Sequence, residues 1–153
     1  MVQGRALRVV FDTNVLLSLF VFADSKYSPL RGEVAAGRWQ ALTSTACFAE
    51  FQRVLTYPMF ALDAARQEET LAAYRALATR IDARQPDAMP ETVIVLPKCQ
   101  DKDDQKFLEL ARCGQADWLV TADKLLLKLR RGRRLDGLFR IFTPDEALAQ
   151  IIP

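Results

Sequence analysis

The chain has 153 residues, half of them hydrophobic, with 21 lysines and arginines against 19 acids and no histidine. This length and apolar content are typical of one globular domain, and a net charge of +2 does not by itself indicate a nucleic-acid partner. The absence of histidine excludes Ser-His-Asp and Cys-His catalysis and every zinc site that uses imidazole, so any catalysis depends on carboxylates, lysines, hydroxyls or thiols.

The cysteines and the N-terminal stretch indicate the cellular compartment. Cys47, Cys99 and Cys113 are far apart and form no C-x-x-C pair, which predicts buried free thiols in a reducing compartment. The opening "MVQGRALRVVFD" lacks the apolar region of a signal peptide, and no apolar run approaches the ~18 residues of a membrane span. We therefore expect a cytoplasmic protein that has no membrane partner.

The first half of the chain alternates buried strands with helices. A continuously apolar strand comes first, and the later helices begin at N-capping serine, threonine or aspartate residues. The second helix begins at Ser28 and Pro29 and stops at Gly37. The predicted elements are strand 7–11, helix 13–22, helix 29–36, strand 39–44, helix 46–55 and helix 64–81.

The second half continues the alternation after a loop with two prolines at 84–91. Thr143, Pro144 and Glu146 form a capping box with proline at the first helical position. The predicted elements are strand 92–96, helix 103–114, strand 117–121, helix 124–131, strand 138–142 and helix 145–152. Such alternation predicts an α/β fold, a three-layer α/β/α sandwich with a central parallel sheet, in one domain over residues 1–153.

Three aspartates occupy positions at which ligands of such sheets collect. Asp12 ends the first strand and Asp123 follows the fourth, and open α/β sheets bind ligands outside the carboxyl ends of their strands. Asp104 lies within about 60° of Phe107 and its apolar neighbours when each helical residue turns 100°. It therefore lies on the helix face directed at the sheet.

Glu50 is a fourth candidate, on the flank of the apolar face of its helix. Each acid also has a purely structural explanation. Asp12, Asp104 and Asp123 are placed to cap helices, and a glutamate beside an apolar face is often simply solvated. The set as a whole favours a functional role, because four converging acids with no obvious basic partner repel one another and raise each other's pKa.

Protonation or a bound cation relieves this repulsion. All-oxygen ligands suit hard ions, so the expected cofactor is Mg²⁺ or Mn²⁺. Such ions polarise phosphoryl oxygens and acidify a bound water, which is the chemistry that hydrolyses phosphodiesters without histidine. The acids therefore predict a metal-dependent phosphodiester hydrolase.

Four segments of this chain together resemble the PIN domain. They are "VVFDTNVLLS", "STACFAEFQRVLTYPMF", "DKDDQKFLELARCGQADWLVTADKLLLKL" and "FRIFTPDEAL", and the resemblance runs from about Leu7 to Ile151. The similar branch consists of bacterial toxin components of toxin–antitoxin systems. The resemblance implies a PIN-like nuclease fold and metal-dependent cleavage of RNA that leaves a 5′-phosphate and a 3′-hydroxyl.

The acids that the resemblance implies are the ones already selected. Its catalytic set falls on Asp12, Glu50, Asp104 and Asp123, with Asp12, Asp104 and Asp123 as the metal ligands. Glu50 would complete the shell or orient the attacking water. The chain departs from the branch's pattern at Ala122, where glycine is usual, and at Lys102, where proline is usual.

Neighbouring polar residues are candidates for substrate binding. Thr13 and Asn14 are able to hydrogen-bond a ligand carboxylate or a phosphate, or to cap the helix that they begin. The stretch 124–134 holds six basic residues and no acid, so Lys124, Lys128 and Arg131 either grip a phosphate backbone or form an ordinary solvated face. The apolar stretch around Phe20, Phe22 and Tyr27 is a candidate surface for a homo-oligomer or a small antitoxin.

The leading hypothesis is an Mg²⁺- or Mn²⁺-dependent endoribonuclease, the toxin of a toxin–antitoxin pair. One alternative is a catalytically inactive PIN-like module that binds nucleic acid or protein. Another is a metal-dependent phosphatase or DNA nuclease of similar fold. Binding of Mg²⁺ or Mn²⁺ distinguishes the first alternative, and competition between RNA, DNA and phosphate esters distinguishes the second.

Overall fold

A five-stranded parallel sheet runs through the computed structural model, which describes residues 6–22, 25–81, 105–131 and 137–151. The strand order is β3-β2-β1-β4-β5, so the first strand lies at the centre. The strands are β1 (Leu7–Phe11), β2 (Trp39–Thr43), β3 (Ala78–Arg80), β4 (Trp118–Val120) and β5 (Arg140–Phe142).

Helices connect these parallel strands. The first, α1 (Thr13–Leu16), continues as a π-helix over Leu17–Val21, and α6 (Lys124–Lys128) continues as a 3₁₀ turn over Leu129–Arg131. The other described helices are α2 (Ser28–Ala35), α3 (Thr45–Leu55), α4 (Ala64–Leu77), α5 (Gln105–Cys113) and α7 (Pro144–Ala149).

Both faces of the sheet are covered, which confirms the predicted three-layer sandwich. Val9 and Val10 in β1 are fully buried and belong to two different apolar clusters, because successive strand residues point to opposite faces. Side chains of α1, α2, α3, α4 and α7 join Val9 in one cluster. Phe107 and Leu108 of α5 and Leu126 of α6 join Val10 in the other.

Predicted helix starts are confirmed where the capping side chain is polar. Ser44 accepts a hydrogen bond from the backbone N–H of Cys47 at 3.2 Å, and Asp63 accepts one from Arg66 at 2.8 Å. Thr143 and Glu146 form the reciprocal capping box, with N···O distances of 3.0 and 2.9 Å. These short-range signals were readable because a cap involves residues only three apart.

The prediction of one helix over 64–81 is wrong at its end. The helix stops at Leu77, and Ala78–Arg80 form β3, an edge strand paired in parallel with β2 so that Ala78 lies opposite Ala41. Ala78 and Ile81 continue the helical spacing of apolar residues, so this spacing alone predicts a helix that is too long. The predicted strand at 92–96 and most of the loop before it lie outside the described residues.

Two of the cysteines are described, and both are free thiols, as predicted. Cys47 is buried, and burial raises the pKa of its thiol to about 11. Cys113 is half-buried, and Cys99 lies outside the described residues. Across the part of the chain that the structure describes, no helix combines the length and the apolar character needed to cross a membrane.

Candidate active site at the carboxyl ends of the strands

Asp12 is buried at the carboxyl end of the central strand. Its side chain is 3% exposed, and its backbone N–H donates to the carbonyl of Val120 in the neighbouring strand at 3.1 Å. One carboxylate oxygen, Oδ1, accepts from the N–H of Val15 at 3.1 Å and so caps α1. The capping role is therefore confirmed for Asp12, and it uses only one of the two oxygens.

Thr121 joins Asp12 to Asp123. The fully buried Thr121 hydroxyl donates to Oδ2 of Asp12 and accepts from the backbone N–H of Asp123 at 2.9 Å. Asp123 in turn caps α6, since its Oδ1 accepts from the N–H of Leu125 at 2.8 Å. The strand-end prediction thus holds for this pair, because β1 and β4 are adjacent and parallel.

The pKa of Asp12 reflects both its burial and its acidic neighbour. Burial raises the pKa of Asp12 to about 6, the hydrogen bonds from Thr121 and Val15 oppose that rise, and the negative charge of Asp123 adds to it. Among the described residues, no lysine or arginine forms an ion pair with either carboxylate. The pair therefore carries negative charge that the described protein groups leave uncompensated.

Glu50 occupies a different environment on α3. Its Oε2 accepts a hydrogen bond of 2.6 Å from the hydroxyl of Thr13, the residue after Asp12. Its Oε1 lies 2.5 Å from the ammonium of Lys106 on α5 and 4.0 Å from the guanidinium of Arg53. The expectation that the acids lack a basic partner is therefore wrong for Glu50.

The structure brings together part of the predicted metal site. Asp104 lies outside the described residues, immediately before the start of α5 at Gln105. Within the described ranges, no three carboxylate or thiolate groups lie close enough together to hold a metal ion. The oxygen-only donors of Asp12 and Asp123 fit a hard cation in chemical type, and a third donor must come from elsewhere.

The predicted substrate-binding residues differ in accessibility. Thr13 is buried and donates to Glu50, whereas Asn14 is exposed. Lys124, Lys128 and Arg131 are all exposed on α6 and the 3₁₀ turn that follows it. The end of the basic stretch, 132–134, lies outside the described residues.

Sequence reasoning missed Thr121 and Lys106. Thr121 was readable as the first residue of "TAD", a hydroxyl two positions before an acid at the end of a buried strand. Lys106 offered no comparable signal, because a residue two positions after Asp104 points about 200° away from it on a helix. Its contact with Glu50 depends on how α5 packs against α3.

The apolar surface predicted near the π-helix is only partly exposed. Phe20 is buried, and Tyr27 is half-buried and donates to Asp145 at 3.0 Å. Phe22 is 59% exposed and lies beside Phe60, with ring centroids 5.9 Å apart. The exposed part of the predicted surface is therefore centred on Phe22.

A parallel sheet whose strand ends carry carboxylates defines an α/β protein with its candidate site at the rim of the sheet. Residues 8–125 match the sequence model of the PIN domain. Because this match covers most of the chain, the protein belongs to the PIN-domain family, whose members are generally nucleases.

The fold is also that of a solved structure, described as the crystal structure of VapBC2 from Rickettsia felis bound to a DNA fragment from their promoter. The two chains superpose with a TM-score of 0.58 and are 15% identical. The alignment covers 90% of this chain and 98% of that chain. No curated protein matches this chain at a significant level.

Proposed function

We propose that this PIN-domain protein is an Mg²⁺- or Mn²⁺-dependent endoribonuclease that forms a single domain over residues 1–153. The observation that carries the proposal is the buried Asp12 joined to Asp123 through Thr121. A buried carboxylate beside a second acid is costly unless it is protonated or paired with a cation. A divalent ion bound at this position would offset that cost, and it would explain why the fold keeps a carboxylate there.

Asp12 and Asp123 would hold the cation, and Asp104 is the proposed third ligand. When bound, the cation would polarise a phosphoryl oxygen and lower the pKa of a water molecule. Thr121 fixes the orientation of Asp12, because its hydroxyl donates to the oxygen that does not cap α1. Glu50 and the Thr13 hydroxyl that it holds would orient the attacking water.

The proposed RNA strand passes over the exposed residues of the site. Asn14 and the cations of Lys124, Lys128 and Arg131 are exposed, and Lys124 directly follows Asp123. Cations beside the cleavage position neutralise backbone phosphates without reading their sequence. These exposed cations support a nucleic-acid substrate, which we propose is RNA in the cytoplasm.

Cleavage of single-stranded RNA in the presence of Mn²⁺ tests the proposal. The wild-type protein is expected to release 5′-phosphate and 3′-hydroxyl ends, and the Asp12→Asn variant is expected to release neither. Equal cleavage by both proteins would contradict the assignment. RNA, DNA and a small phosphate ester in competition would separate a ribonuclease from a DNA nuclease or phosphatase.

An inactive binding module is the alternative, since both carboxylate oxygens of Asp12 accept hydrogen bonds from protein groups. Calorimetry with Mg²⁺ and Mn²⁺ distinguishes the two functions. Binding that Asp12→Asn abolishes supports the nuclease. No binding at millimolar concentrations supports the module.

The proposed biological role is that of a toxin with a small antitoxin partner. The likeness in fold to VapBC2 supports this role. A homo-oligomer is also proposed, with the exposed Phe22 at its contact. Light scattering of the purified chain, alone and with Phe22→Ser, tests the oligomer, and a monomer in both samples would contradict it.

A further inference from the structure

Both oxygens of Glu50 are already occupied by protein groups. The Thr13 hydroxyl donates to Oε2 at 2.6 Å, and the Lys106 ammonium lies 2.5 Å from Oε1. The side chains of Lys106 and Glu50 are only 21% and 13% exposed, so solvent screens their attraction weakly. Arg53 approaches the same oxygen at 4.0 Å, but its side chain is 60% exposed.

A carboxylate held in this way is a poor ligand for a divalent cation. The incoming ion would have to displace the ammonium from Oε1, or approach while the positive charge of Lys106 repels it. The hydrogen bond from Thr13 is not the obstacle, because Asp12 accepts hydrogen bonds on both of its oxygens as well. Asp12 and Asp123 differ, because the described residues place no cation on either of them.

We propose that Lys106 is a positioning residue: it holds Glu50 as the acceptor for Thr13 and excludes Glu50 from the set of metal ligands. The inference rests on the proposed function, since it assumes a divalent cation beside Asp12. The chain of contacts from Lys106 through Glu50 to Thr13 links α5 and α3 to the first residue of α1. It fixes that residue next to Asp12 while confining the cation to the aspartates.

Titration calorimetry of the full chain with Mn²⁺, in the absence of RNA, tests this assignment. Lys106→Met should tighten Mn²⁺ binding by about tenfold or add a second ion, because it removes the ammonium that lies against Oε1 of Glu50. Arg53→Met removes an equal charge near the same oxygen and should change the affinity less than about twofold, because that charge is exposed.

The glutamate variants provide the second measurement. Glu50→Gln should bind Mn²⁺ within about threefold of wild type, because Glu50 is not a ligand. The double variant Lys106→Met/Glu50→Gln should return to the wild-type affinity, since it lacks the carboxylate that Lys106→Met exposes. Circular dichroism melts of each variant report whether the fold is kept.

Two results would overturn the assignment. One is a folded Lys106→Met variant that binds Mn²⁺ as wild type does, and the other is a Glu50→Gln variant that loses Mn²⁺ binding as completely as Asp12→Asn. The glutamate result decides the matter even if Lys106→Met fails to fold. Failure of the proposed function looks different, because then Asp12→Asn itself binds Mn²⁺ with the wild-type affinity.

Discussion

Asp12 and Glu50 are both linked to Thr13: Asp12 precedes it in the chain, and Glu50 accepts a hydrogen bond from its hydroxyl. The charged groups around the two acids nevertheless differ. On the aspartate side, which comprises Asp12, Thr121 and Asp123, one buried hydroxyl donates to the Asp12 carboxylate and accepts from the backbone N–H of Asp123. On the glutamate side, which comprises Glu50, Thr13 and Lys106, an ammonium lies against the carboxylate. One side is uncompensated by described residues, and the other is neutralised within the fold.

This difference in charge indicates which side is suited to bind a cation. Burial of Asp12 raises its pKa, so the folded protein resists placing a negative charge there unless a cation accompanies it. Glu50 needs no added cation, because the Lys106 ammonium already lies against its carboxylate. Its other oxygen holds the hydroxyl of Thr13 in place. A divalent cation is therefore expected to bind on the aspartate side and not on the glutamate side.

The largest expected effect separates the two acids by activity. Asp12→Asn should lower kcat/KM for RNA cleavage by about a thousandfold or more, because it removes a metal ligand. Glu50→Gln should lower it by only about tenfold, because the cation remains bound. Single-turnover cleavage assays in Mn²⁺ measure both. Equal losses of kcat/KM in the two variants would show that Asp12 and Glu50 do not differ in this way.

The next effect concerns the stability of the metal-free protein against pH. The pKa of Asp12 is about 6 in the fold against 3.8 for the free side chain, so the protonated form favours folding. This stabilisation is complete below about pH 4 and is lost as the pH rises through 6. The free energy of unfolding at pH 7.5 is then lower by about 3 kcal/mol than at acidic pH, where Asp12 is protonated.

Urea denaturation in EDTA at pH 4 and pH 7.5 measures this cost. The free energy of unfolding of wild type should fall between the two conditions by about 3 kcal/mol more than that of Asp12→Asn, which cannot ionise. Mn²⁺ at pH 7.5 should restore stability to wild type only. Parallel pH dependence of the two proteins would show that burial of Asp12 carries no electrostatic cost.

A smaller effect compares the two threonines. Thr121→Val should destabilise the fold by about 2 kcal/mol, because Asp12 loses a donor and the N–H of Asp123 loses an acceptor in a buried place. Thr13→Val should cost about 1 kcal/mol, because Glu50 keeps Lys106. Urea midpoints test the ranking, and a reversed order would mean that the glutamate side is the more dependent on its hydroxyl.

The smallest effect concerns the exposed cations. Lys124, Lys128 and Arg131 are the proposed phosphate contacts, and the two lysines are both exposed on α6. Replacing both with alanine should weaken RNA binding several-fold and reduce the slope of log affinity against log salt by about 0.7 for each lysine. Lys26→Ala is the control, because Lys26 is ion-paired with Asp145 at 3.0 Å. An unchanged salt slope would remove these lysines from the substrate path.

The sequence was informative wherever a feature depends on neighbouring residues. Capping at Asp12, Ser44 and Thr143 was predictable because it involves contacts three residues along the chain. The proximity of Asp12 and Asp123 followed from strand-end positions, because parallel strands end at the same edge of the sheet. The end of α4 was not predictable, because β3 forms by pairing with β2, more than thirty residues away.

By itself, then, the sequence determined the alternating pattern of strands and helices, the caps, and the placing of two aspartates at one edge of a parallel sheet. Only the tertiary structure decided which group each acid contacts. Thr121 reaches Asp12 because β4 lies beside β1, and Lys106 reaches Glu50 because α5 packs against α3. Periodicity specifies the face of an element on which a side chain lies, but long-range packing specifies what that face meets.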